Sequence, residues 1–60
     1  MRPVTDEEIL MALAGNEEAA IVAHVWRTGA TYHDATEAMR LALVEVYEGR
    51  RDPAQREVGA

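Results

Sequence analysis

With 60 residues, no cysteine and a net charge of −5, the chain has room for one small core, with no disulfide or zinc knuckle to brace it. Eleven acidic side chains against six arginines disfavour non-specific attachment to phosphate backbones or anionic lipid heads. No apolar run approaches a membrane span, and Met1-Arg2-Pro3 leads into acids instead of a signal-peptide core, so a soluble, cytoplasmic protein is expected.

The first helix opens on Thr5-Asp6-Glu7-Glu8, a capping box in which Thr5 accepts from the amide of Glu8 and Glu8 reaches back to the amide of Thr5. Val4 and Ile9 stand at the positions of a hydrophobic staple across it, and Asp6 and Glu7 complement the positive end of the helix dipole. Gly15 suits a left-handed stop, which predicts a helix over 5–14. Asn16 is a good N-cap for a second helix over 16–28, with Glu17 and Glu18 in its first turn and Gly29 after its end. Thr31 caps a third over 31–48, with Asp34 as a shorter-armed version of the same box and Gly49 as its stop. Pro53 disfavours further helix, and residues 50–60, with Arg50, Arg51 and Arg56, read as a flexible tail. The expected fold is all-α: a small three-helix bundle over 1–49 followed by that tail.

The charge is uneven. Residues 1–48 hold nine acids and three arginines (−6), whereas residues 49–60 hold three arginines and two acids (+1). All basic residues are Arg, and Ala, Val and Gly are plentiful, a composition that suggests a GC-rich genome of bacterial or phage type.

Apolar spacing suggests how the helices pack. The first presents Ile9, Leu10, Leu13 and Ala14 on one side, with Met11 near the edge. In the second, Ala19, Ile21, Val22, Ala23, Val25 and Trp26 cover more than half the circumference, as expected of a central helix touched on two sides; His24 falls on its polar strip. Eleven alanines each bury little area, so the core should lean on Leu13, Ile21, Val25, Trp26, Met39, Leu43 and Tyr47. In the third helix Ala35, Met39, Ala42, Leu43 and Val46 form one stripe, while Leu41 and Val44 project from nearly the opposite side among Glu37, Arg40 and Glu48.

No residue set reaches a catalytic pattern. His33 and Glu37 are spaced to share a helix face, but a catalytic zinc needs three protein ligands and no third stands at fixed spacing. The pairs Glu7/Glu8 and Glu17/Glu18 sit in first turns, where the dipole accounts for them. There is no serine nucleophile, and the four glycines are spaced as helix stops and not as a phosphate loop. The expectation is no enzyme, no metal and no cofactor.

Gly29-Ala30-Thr31-Tyr32-His33-Asp34-Ala35 resembles the turn and the start of the recognition helix in the helix-turn-helix family. That likeness implies DNA binding through the second and third helices. The pattern departs where Asp34 and Glu37 would face phosphates with only Arg40 as a cation. The short loops also resemble the ubiquitin-associated domain in outline. Here, however, Ala14-Gly15-Asn16 stands where that family has a Met-Gly-Phe type triplet, so no ubiquitin-binding residues carry over.

A core of this size supplies no more than a few kcal/mol, and an extra apolar helix face points to a partner. The expected function is protein–protein interaction, as a homo-oligomer or by docking on a larger protein as an adaptor, inhibitor or phage-type regulator. Met11, Tyr32, Arg40, Leu41, Val44, Tyr47 and Glu48 form the expected interface. Nucleic acid, membrane and small-molecule substrate are not expected partners; DNA binding by the helix-turn-helix is the alternative.

Overall fold

The computed structural model describes residues 2–54 and contains three helices: α1 (Asp6–Leu13), α2 (Glu17–Thr28) and α3 (Tyr32–Tyr47). The fold is the expected all-α three-helix bundle. α2 is the central element, packing extensively on both neighbours, while α1 and α3 barely touch.

The helix ends follow local chemistry. Thr5 Oγ1 accepts from the Glu8 amide at 3.2 Å and Glu8 Oε1 accepts from the Thr5 amide at 3.0 Å, closing the capping box. Val4 and Ile9, the staple pair, both lie in the core. Thr31 Oγ1 accepts from the Asp34 amide at 3.0 Å, whereas the Asn16 side chain makes no capping bond. α1 and α3 both stop in Schellman turns. Asn16 N–H donates to the Met11 carbonyl and Gly15 N–H to Ala12; Arg50 N–H donates to Glu45 and Gly49 N–H to Val46. Gly15 and Gly49 hold φ values of 98° and 77°, the left-handed conformation that such turns require.

The buried apolar residues are Val4, Ile9, Ala20, Ile21, Ala35, Met39 and Ala42, with Met11, Ala12, Val25, Ala38, Leu43 and Val46 packed partly buried against them. This core differs from the expected one in three places. Leu13, Trp26 and Tyr47 are exposed, Trp26 by 83%. His24, expected on a polar strip, is fully buried. In α1 the packed face is Glu8, Ile9 and Ala12 and not Ile9, Leu10 and Leu13, so the two leucines look outward. The differences in α1 and α2 have one cause: Glu8 is drawn inward to meet α2, which rotates both helices about their axes relative to what apolar spacing alone favours. Tyr47 is exposed because it stands at the end of α3, off the face that carries Ala35, Met39 and Ala42.

The segment after α3 also departs from the expected free tail. Arg51 Nε and Nη2 donate to Asp6 Oδ1 at 3.2 and 2.9 Å, Nη2 donates to the Val4 carbonyl at 2.8 Å, and Pro53 is buried. Arg51 therefore straps the segment after α3 back onto the start of α1. The remainder of the expected tail, including Arg56, lies outside the described residues.

Candidate interaction surface and buried ion cluster

Two features stand out from an ordinary bundle: a buried ionic cluster between α1 and α2, and large apolar side chains left on the outer faces of α2 and α3.

The cluster centres on Glu8. Its side chain, only 7% exposed, accepts from Arg27 Nε at 2.9 Å and Arg27 Nη2 at 3.2 Å, from His24 Nδ1 at 3.0 Å, and from the Thr5 amide. Arg27 Nη2 also donates to the Pro3 carbonyl at 2.7 Å, tying the segment before α1 to α2. Burial alone raises the Glu8 pKa. The opposing hydrogen bonds from Arg27, the Thr5 amide and His24, with the Arg27 charge, outweigh it and hold the carboxyl at about 2, against an ordinary 4.5. An ionised carboxylate only accepts, so His24 Nδ1 must carry the proton and donate to it. The 3.2 Å approach of Arg27 Nη2 to that nitrogen is then a contact between two donors and not a hydrogen bond. His24 Nε2 is buried without a hydrogen-bond partner among the described residues.

A depressed carboxyl pKa links folding to acid. Stability supplied by Glu8 is complete above pH about 4.5, where the unfolded chain is also ionised, and falls as pH drops toward about 2. The total is up to ~3 kcal/mol. We expect the urea midpoint to fall steeply across that window, with Glu8 observed by NMR as a carboxylate well below pH 4.5. A midpoint flat across the window, or a Glu8 titration near its ordinary value, would contradict the cluster.

The surface residues are set by α2 and α3. On α3, Ala35, Met39 and Ala42 face the core; at 3.6 residues per turn Glu37, Leu41, Val44 and Glu48 fall on the opposite side. Leu41 is 67% exposed, Val44 is exposed, and Tyr47 is 75% exposed on an adjoining flank. Glu37, Arg40 and Leu41 line a shallow surface depression. Glu48 pairs with Arg50 at 2.6 Å, and Glu37 with His33 at 3.6 Å. Tyr32 is exposed at the other end of the helix. Its hydroxyl donates to Glu18 at 3.3 Å, and desolvation with the Glu18 and Glu17 charges raises its pKa. The structure thus brings Arg40, Leu41, Val44, Tyr47 and Glu48 onto one part of α3. Tyr32 stands apart from them, and Met11, expected in the same interface, packs partly buried against the core instead.

The outer face of α2 carries a surface that apolar spacing did not single out. Ala20, Ile21 and His24 face inward, which turns Ala19, Val22 and Trp26 to solvent. The signal lay in the breadth of the apolar arc, wider than one bundle of this size can cover. Locating its uncovered part required knowing that His24 is buried.

Among the described residues no group of three or more His, Asp or Glu could hold a metal ion, and no helix is long and apolar enough to cross a membrane. No protein-family model matches the chain, and neither a curated protein nor a solved structure shows significant similarity to it.

Proposed function

We propose that this chain is a protein–protein interaction module that binds through the outer face of α3, with Leu41 and Val44 as the inserted apolar pair and Arg40, Tyr47 and Glu48 around them. The observation that carries this reading is the placement of Leu41 and Val44 on the side of α3 opposite Met39, where no described element covers them. Trp26 and Val22 on α2 offer a second apolar surface, and tryptophan is enriched at binding hot spots. Three residues separate α2 from α3, as in a helix-turn-helix, but DNA binding is the weaker reading. Arg51 is held by Asp6, Arg50 by Glu48, and Glu37 and Asp34 are exposed near the start of the would-be recognition helix. Few cations are left to neutralise phosphates.

A photoreactive amino acid placed at Leu41 tests the proposal in living cells. Irradiation should give a discrete covalent adduct with protein, whether with a second copy or another chain, and none from the same group placed at Asp34. A yield at Leu41 no greater than at Asp34 would overturn the reading.

A further inference from the structure

Resting on the interaction reading, we propose that the occupant of the α3 outer face is a second copy of this chain, packed antiparallel about a two-fold axis at Val44. Arg40 is the starting point. Arg2, Arg27, Arg50 and Arg51 each donate a hydrogen bond or form an ion pair, whereas Arg40 has neither among the described residues. An exposed, unpaired guanidinium beside Leu41 and Val44 suits a surface completed by a carboxylate from outside.

A two-fold interface must be complementary to itself, and this face carries both signs around an apolar centre. Counting about 100° per residue, Glu37, Leu41, Val44 and Glu48 lie within about 60° of one another, and Arg40 and Tyr47 share one flank. In an antiparallel pair the two-fold axis brings the same flank of each helix together. With the axis at Val44, Arg40 of each copy lies level with Glu48 of the other, diagonally across the interface, and directly faces its Tyr47 on the shared flank. The first contact is an ion pair and the second a cation–π contact. Leu41 and Val44 then fill the centre twice. Sliding the pair so that the axis falls between Ala42 and Leu43 puts Glu37 opposite Glu48 at both ends, so like-charge repulsion selects the first register. Glu48 already holds Arg50, but a carboxylate has acceptor sites for both. α3 is about 24 Å long, so the buried surface is below the standard interface size and the dimer is weak and concentration-dependent.

The test is sedimentation of the full chain between about 10 μM and about 1 mM, with far-ultraviolet circular dichroism confirming helicity. The wild type should pass from monomer toward dimer across this range. Arg40→Glu and Glu48→Arg, each alone, should weaken association about tenfold or more, because each places like charges opposite one another twice. An equimolar mixture of the two variants should regain wild-type association, since each heterodimer then has two opposite-charge pairs; this requires no doubly substituted chain to fold. A wild type monomeric throughout, or folded single variants that associate as well as wild type, or a mixture that stays apart, would overturn the self-pairing. The cross-linking experiment separates that failure from failure of the interaction reading: an adduct carrying only a different chain sinks the first and leaves the second standing.

Discussion

Replacing Glu8 with alanine is expected to remove a large share of the protein's stability at 25 °C. Glu8 is the common acceptor for Arg27, His24 and the Thr5 amide. Its loss strands the buried His24 donor and the cap amide, whereas the Arg27 guanidinium, 35% exposed, can still reach water. Removing one partner of a fully buried ion pair costs about 3–5 kcal/mol. With Arg27 open to water the cost falls toward the lower end of that range, and losing the N-terminal capping contact adds about 1 kcal/mol. A domain of this size has about 3–9 kcal/mol in total. Far-ultraviolet circular dichroism against urea measures the loss, and a Glu8→Ala midpoint within error of wild type would show that the cluster is not closed in solution. The size of this effect does not mean that the cluster itself contributes that much. Desolvating the carboxylate opposes folding, since burial by itself would raise its pKa, and the hydrogen bonds offset it. Replacing the whole cluster with apolar residues of similar volume (Glu8→Met, His24→Leu and Arg27→Met together) should therefore recover most of the stability lost by Glu8→Ala. What the ionic version supplies is pairing: it joins α1, α2 and the Pro3 carbonyl in one arrangement.

The second large effect is expected at Met39. Its side chain is fully buried, its neighbours on the core face of α3 are Ala35 and Ala42, and the cluster it belongs to also holds Val4, Ile9, Ala20 and Ile21. The short alanines and stiff β-branched side chains of this cluster refill little of the space left by Met39→Ala, so the cost should be about 2–5 kcal/mol. In a chain of this length that lowers Tm by more than about 10 °C. Met39→Leu, which conserves volume, should cost less than about 1.5 kcal/mol. Trp26→Ala is the contrasting control. Residue volume alone ranks Trp26 as the heaviest core residue, yet at 83% exposure its loss should change monomer stability by no more than about 0.5 kcal/mol. Thermal melts of the three variants decide the matter, and a Trp26→Ala melt as depressed as that of Met39→Ala would contradict the orientation of α2.

The two-fold pairing of α3 bears on these values. If the chain dimerises, stability depends on concentration, because assembly favours the folded form by mass action. Comparisons among variants therefore belong at one fixed concentration, well below the association range.

Helix limits were legible in the residues themselves, because capping is a contact between neighbours a few positions apart. Thr5 with Glu8, Thr31 with Asp34, and the glycines at 15, 29 and 49 mark the ends of the helices to within a residue or two. The outward projection of Leu41 and Val44 was equally readable, since it follows from helical period and the position of Met39 on the same helix. What was not readable is the rotation of α1 and α2. Glu8 has a complete local explanation as a capping residue and His24 a complete one as a boundary residue. Nothing within either helix reveals that a carboxylate and an imidazole 16 residues apart meet at 3.0 Å with Arg27 beside them. The strap formed by Arg51 on Asp6, 45 residues away, is hidden in the same way behind a proline that locally reads as the start of a tail. Short-range hydrogen bonding is thus written in the sequence by itself. Which face of each helix is buried was decided only by tertiary structure, because a charge can go inside once a partner of opposite sign and matching geometry arrives from elsewhere in the chain.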